Sequence, residues 1–156
     1  MPIMKTAATT LTTLVLLVTI PALAQDSETR VKMKDLPGPV QQTVKEQGKG
    51  AVIRGLAKEV KDGQTFYEVE LKAAGHNKDV LIDPSGKVVE IEEQVTLDSL
   101  PPAVKAEIIK QAGKRRIVMV ESITKDNALV AYEAHVKSGL RTLEIKVGVD
   151  GKLITQ

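Results

Sequence analysis

Apolar residues recur along this chain with two distinct periods. Val104, Ile108 and Ala112 stand four apart with Ile109 beside them, while Lys105, Glu107 and Lys110 fall off that stripe. This is the pattern of an amphipathic helix. Pro101 and Pro102 suit its first turn, Asp98 or Ser99 is its expected cap, and Gly113 its expected end. Val40 and Val44 form a shorter stripe before Gly48, with Gly38 and Pro39 weakening the start of a first helix. Elsewhere the period is two. Tyr67, Val69 and Leu71 point one way along a strand, and Phe66, Glu68 and Glu70 point the other. β-branched and alternating runs predict strands over 51–60, 65–72, 78–83, 88–95, 117–124, 128–137, 141–149 and 153–156. Turns are expected at Asp62-Gly63, Gly75-His76-Asn77, Asp83-Pro84-Ser85-Gly86, Asp126-Asn127, Ser138-Gly139 and Asp150-Gly151. Residues 25–34 read as polar and loosely ordered.

The same order of elements is written twice. Leu36-Pro37-x-x-Val40 recurs as Leu100-Pro101-x-x-Val104, and Lys61-Asp62 recurs as Lys125-Asp126. After one inserted residue, Tyr67-Glu68 meets Tyr132-Glu133 and Gly86-Lys87 meets Gly151-Lys152. The expected fold class is therefore α+β. It consists of two tandem α-β-β-β(β) repeats, 25–94 and 95–156, each a helix packed on antiparallel strands, with a sheet or core shared between them. Short hairpin links with no second helix exclude a parallel α/β sheet. Two copies are too few for a solenoid.

Residues 1–24 read as a signal peptide. Lys5 supplies the positive charge, the run from Leu11 to Ile20 the apolar stretch, and Ala22-x-Ala24 the small residues before cleavage. The apolar run is far short of the roughly 20 residues that span a bilayer. A periplasmic or secreted protein with no integral membrane segment after cleavage is the expectation. The 156-residue chain carries 22 basic and 20 acidic residues, and this near balance offers no basic surface for nucleic acid. There is no Cys, which excludes thiol catalysis, disulfides and thiolate metal sites. With no Trp, two Tyr and one Phe, the core must be built from Val, Ile, Leu and Ala.

The quoted motifs resemble the PepSY-like family, also described as β-lactamase-inhibitor-like proteins. The resemblance rests on Leu36-Pro37 before the helix, on the run from Glu59 through Asp62-Gly63 to Glu70, and on Asp79 to Glu90. A more diverged copy runs from Leu100-Pro101 to Asp150-Gly151-Lys152. It implies a periplasmic or secreted protein with an α-β-β-β unit used twice, whose sheet surface grips a partner, such as a peptidase or β-lactamase that it inhibits.

Catalytic equipment is sparse. His76 and His135 are the only histidines, no Gly-x-Ser-x-Gly elbow exists, and no paired-histidine spacing offers two metal ligands from one element. His76 is expected in an exposed turn, and His135 on the outward face of its strand. Glu68, Glu70 and Glu133 project from outward strand faces, with Glu90, Glu92 and Glu93 nearby. Lys72, Lys78, Lys87 and Lys137 are expected to pair with these acids across strands. The plain reading is a solvated face of mixed charge. The functional reading is a partner-binding face with Phe66 as apolar contact and Glu68, Glu70, Glu133 and His135 as polar ones. No enzyme activity, cofactor or metal site is expected. The expected function is a non-catalytic binding or inhibitory module acting on an envelope protein or peptide. The rival readings are a cation-binding or stress-buffering envelope protein using the sheet carboxylates, and a hydrolase.

Overall fold

The computed structural model describes residues 27–155; the signal-peptide reading concerns residues outside that span. The described residues form nine strands and two helices. The strands are β1 (Ser27–Arg30), β2 (Ala51–Lys61), β3 (Gln64–Ala73), β4 (His76–Ile82), β5 (Val88–Gln94), β6 (Ile117–Lys125), β7 (Ala128–Ser138), β8 (Arg141–Gly148) and β9 (Leu153–Ile154). The helices are α1 (Gly38–Gln47) and α2 (Pro102–Ala112), each preceded by a three-residue 3-10 turn. All nine strands join in one antiparallel sheet whose spatial order is their chain order.

This corrects the expected α+β class of tandem helix-and-strand units. The molecule is a single, mostly β sheet carrying two short helices. The reason is the seam between β5 and β6. Glu90 to Gln94 stand opposite Lys125 to Glu121, so the ladder runs unbroken past the point where one unit was expected to end. Local periodicity cannot reveal such a pairing, because α2 separates its two strands in the sequence.

Hairpin chemistry sets the register. Asp62 and Gly63 both take positive φ, as do Asp126 and Asn127, the geometry of tight two-residue turns. The turn after β3 falls at Ala74 and Gly75, which leaves His76 and Asn77 inside β4 rather than in the exposed turn expected for them. Residues 27–30 also depart from expectation. They form an edge strand, with Arg30 opposite Ala57 and Ser27 opposite Val60. Both faces of β1 are exposed, so its sequence carries no alternation; backbone pairing to β2 orders it. Neither Asp98 nor Ser99 caps α2. Both lie in the preceding 3-10 turn, and Pro101 occupies the cap position.

Both helices lie on one face of the sheet. Val40 and Val44 of α1 pack on Val69, Leu71, Val80 and Ile82. Val104, Ile108 and Ala112 of α2 pack on Val120, Ala134, Val136 and Val147. Tyr67 and Tyr132 are half-buried at the margins of these clusters. Two turns fasten the helix starts to the sheet. Thr43 donates a 2.6 Å hydrogen bond to the carbonyl of Gly86, and Gly151 lies against Ala103 so closely that a Cβ there would stand 2.9 Å from that side chain. Among the described residues, no helix lies on the opposite face of the sheet.

Candidate functional site

The open face is built by the residues that alternate with the core. On β3 these are Phe66, Glu68 and Glu70; on β4, Asp79 and Leu81; on β5, Glu90 and Glu92. On β6 they are Glu121 and Ile123, on β7 Ala131, Glu133 and His135, and on β8 Lys146. The register then places like charges in line. Glu70 stands opposite Asp79, and Asp79 stands opposite Glu92, on three adjacent strands. Farther along, Glu121 stands directly opposite Glu133. Like charges facing one another across strands are destabilising, so a sheet built for stability alone avoids them.

The cations on this face only partly offset the acids. Arg30 Nη2 lies 2.6 Å from Glu70 Oε1, Lys61 Nζ lies 2.7 Å from Glu59 Oε2, Lys125 Nζ lies 3.1 Å from Glu90 Oε2, and Lys146 Nζ lies 2.9 Å from Glu133 Oε2. Gly55 supplies bare backbone beneath the first pair; a Cβ at that position would overlap both the guanidinium and the carboxylate. The lysines expected to meet these acids are engaged elsewhere. Lys72 donates to Asn77, Lys87 pairs with Asp126, and Lys137 donates to Thr142. Lys78 stands opposite Glu93, on the helix-covered side.

Crowding and desolvation leave a strip of carboxylates with strongly raised pKa values. Burial, and then the charges of Glu59 and Asp79, push Glu68 up to about 8. Burial, and then Glu133 and Glu90, push Glu92 up to about 7. Burial, and then Glu121 and Glu70, push Asp79 up to about 6. Glu68, Asp79 and Glu92 line one small depression, with Lys61 and Glu90 at its margin. Perturbed titratable groups gather at functional sites, which makes this strip a candidate site.

Two further features flank the strip. At one end Phe66 lines an open cleft of about 730 Å³, together with Lys61, Leu81, Pro84, Val89 and Lys125. Phe66 shares the Glu68 face, and Ala131, its counterpart in β7, is buried beside Ile123. At the other end His135 Nε2 lies 2.8 Å from Glu121 Oε2 and 3.5 Å from Glu133 Oε1. The hydrogen bond to Glu121 raises the pKa of His135, against a smaller opposing effect of burial. Glu121 is 2 % exposed and Glu133 5 %, an unusual degree of burial for carboxylates on a face without a covering layer.

Of the residues singled out from the sequence, Phe66, Glu68 and Glu70 gather on the β1–β3 side of this face, and Glu133 and His135 gather near its β6–β8 side. Sequence reasoning missed Asp79 and Glu121 as members of the constellation, and it named Glu92 only as an acid nearby. Alternation within β6 places Glu121 with Ile123, but only the β5–β6 and β6–β7 registers bring it to Glu133. Both histidines bond glutamates: His76 Nε2 lies 2.8 Å from Glu93 Oε1, on the helix side. Among the described residues no helix is long and apolar enough to cross a membrane.

The fold defined by this sheet is one seen in periplasmic-type bacterial proteins. The chain is similar to a DUF2874 family protein from Bacteroides ovatus, at 22 % identity and TM-score 0.58, with 77 % of this chain and 85 % of that one covered. It is also similar to a BLIP-like protein from Bacteroides fragilis, at 19 % identity and TM-score 0.54, covering 77 % and 84 %. A third likeness is to a candidate periplasmic protein from Bacteroides eggerthii, at 18 % identity and TM-score 0.61, covering 77 % and 86 %. At these identities the likeness is one of fold. Of these three neighbours, one is called BLIP-like and none is called PepSY-like. The sequence matches no protein-family model, and no curated protein is significantly similar to it.

Proposed function

We propose that this chain is an exported, non-catalytic binding module whose open sheet face receives a basic, partly apolar segment of an envelope protein. The observation that carries the reading is the line of Glu70, Asp79 and Glu92 across three adjacent strands, with Glu68 beside it. Such a line costs stability in the free protein. Its acids gain from any cation laid along it, and their half-buried setting strengthens that attraction over one in bulk water. The Phe66 cleft lies at the end of the strip and suits an apolar side chain flanking the partner's Lys or Arg residues. The neutral balance of the whole chain and this acidic strip both disfavour a nucleic acid partner.

Non-catalytic action is part of the proposal. It is supported by two histidines that each bond a glutamate rather than a serine. Periplasmic or secreted location is supported by the signal-peptide pattern of residues 1–24 and by the names of the structural neighbours. The finer reading, a PepSY-like or β-lactamase-inhibitor-like protein acting on an envelope peptidase or lactamase, rests on the sequence motifs and on the BLIP-like neighbour.

The test uses a short alternating lysine–leucine peptide as probe. Calorimetry is expected to show binding at low ionic strength that weakens as salt screens the strip. The Glu68→Gln/Glu70→Gln variant abolishes it, and Phe66→Ala weakens it by about tenfold. A photo-crosslinking residue placed at Phe66 labels an envelope protein, whereas one at exposed Ile109 on α2 does not. No heat at any salt concentration, or equal labelling from both positions, contradicts the reading.

A further inference from the structure

The open face also holds a compact ligand set away from the Glu68, Glu70, Asp79 and Glu92 strip. Glu121, Glu133 and His135 each bring one ligand atom within 4.8 Å of the other two. The elements that supply them are rigid. Glu121 and Glu133 are register partners on β6 and β7, and His135 follows Glu133 by two residues on the same face of β7. Each is shielded: the side chains are 3 %, 7 % and 18 % exposed. One oxygen of Glu121, Oε2, meets His135 Nε2 at 2.8 Å. The other, Oε1, is buried and has no hydrogen-bond partner. A buried carboxylate oxygen left without a donor costs more than the usual net value of a hydrogen bond, because its hydration is lost and nothing replaces it. Glu59 Oε2 satisfies its charge at 2.7 Å from Lys61 Nζ, so the orphaned oxygen of Glu121 stands apart from the other buried acids.

We propose that Glu121, Glu133 and His135 form a binding site for a first-row divalent cation of the zinc type. The chemistry follows from the donor set. Two carboxylates and one imidazole suit Zn²⁺, Mn²⁺ or Fe²⁺, whereas Ca²⁺ prefers six to eight oxygens and Mg²⁺ an octahedron of oxygens. The 2.8 Å and 3.5 Å separations between the imidazole nitrogen and the two carboxylates match donors that share one small ion at roughly 2.0–2.2 Å. The ion takes the place of the Nε2 proton that bridges His135 and Glu121, and that proton leaves to solvent. Binding also brings positive charge to Glu121 Oε1. Lys146, which pairs with Glu133 Oε2 at 2.9 Å, leaves the Oε1 atom of Glu133 on the His135 side for the metal. Three protein donors leave a coordination position open to water or to a group on a bound partner. The site escapes a sequence scan because its ligands come from two strands and include no His-x-His or His-x-x-x-His spacing.

The experiment titrates the metal-free protein with Zn²⁺ alone, and separately with Ca²⁺ alone, by calorimetry and thermal unfolding. One-to-one Zn²⁺ binding is expected, with a rise in Tm of about 4 °C or more at hundredfold excess over Kd. Glu121→Gln and His135→Ala each weaken Zn²⁺ binding by at least about tenfold, while Glu70→Gln, outside the site, leaves it unchanged. The imidazole NMR signals of His135 shift on Zn²⁺ addition and those of His76 do not, a readout that needs no variant to fold. Absence of Zn²⁺ binding overturns the proposal, as does binding retained in both Glu121→Gln and His135→Ala, or a shift at His76 instead of His135. Ca²⁺ binding equal to that of Zn²⁺ and indifferent to His135→Ala overturns the assigned metal class.

Discussion

The two faces of this sheet are made by the same strands and obey opposite rules. The helix-covered face collects Val69, Val80, Ile82, Ala134 and Val147, which with Val104 and Ile108 of α2 are all fully buried and all apolar. The open face, one residue out of phase, collects Glu68, Glu70, Asp79, Glu92, Glu121 and Glu133 around the small apolar patch of Leu81, Ile123 and Ala131. On the first face every neighbour favours every other, and the fold draws its stability there. On the second, the register sets acid against acid. A β-strand cannot move one face without the other, because successive side chains point to opposite sides. The core therefore fixes the register, and the register holds the carboxylates in a crowded arrangement they would not adopt alone. Local conflicts held in place by surrounding structure gather at functional sites.

The sharpest contrast should come from truncating the covered face. Ile108→Ala removes a fully buried side chain from the α2 cluster and is expected to destabilise the protein by about 2–5 kcal/mol, seen as a lower urea midpoint. It should leave the apparent pKa values of the open face unchanged in the folded protein.

Next in size is the dependence of wild-type stability on pH. Glu68, Glu92 and Asp79 have folded pKa values raised to about 8, 7 and 6. Between the unfolded and folded values the native state holds more protons than the unfolded chain, so stability falls as pH rises through that window. His135, also raised, acts with the same sign. Asp83, Asp98, Glu107 and Asp150, all lowered, act at the acid end, where stability falls as pH drops. Stability should therefore peak near about pH 5 and decline toward pH 8. Urea midpoints across that range check the sign. A rise between pH 5 and 8 would mean that the open face is not crowded.

A smaller effect isolates one member of the strip. Glu68→Gln should stabilise the protein by up to about 1 kcal/mol at pH 8, where it relieves like-charge contact, and by nothing near pH 4, where both forms are neutral. A polar substitution that raises stability while weakening peptide binding separates the proposed binding from folding. The smallest effect belongs to the exposed edge. Arg30→Ala removes a partner of Glu70 that is itself 61 % exposed, and the thermal midpoint at moderate salt should not move measurably.

Much of the covered face was legible in the sequence. The four-residue spacing of Val104, Ile108 and Ala112 marks α2, and Asp62-Gly63 marks the β2–β3 turn, because both are local signals. The faces of β3 follow from alternation, which separates Tyr67, Val69 and Leu71 from Phe66, Glu68 and Glu70. A sheet or core shared between the halves was expected, but the seam that makes one continuous sheet was not legible. It depends on β5 meeting β6 across an intervening helix, a long-range pairing without local trace. The edge strand Ser27–Arg30 was missed because it buries nothing. The candidate site was legible by half. Glu68, Glu70, Glu133 and His135 could be placed on outward faces with Glu92 nearby, whereas Asp79 and Glu121 become their neighbours only through register.

Direct carbon-detected NMR titration of the side-chain carboxyls measures the crowding itself. Midpoints are expected near 8 for Glu68, 7 for Glu92 and 6 for Asp79, each moving down when the lysine–leucine peptide binds. Midpoints for all three in the ordinary carboxylate range, and indifferent to the peptide, would show a relaxed, solvated surface with no reason to hold a cationic partner.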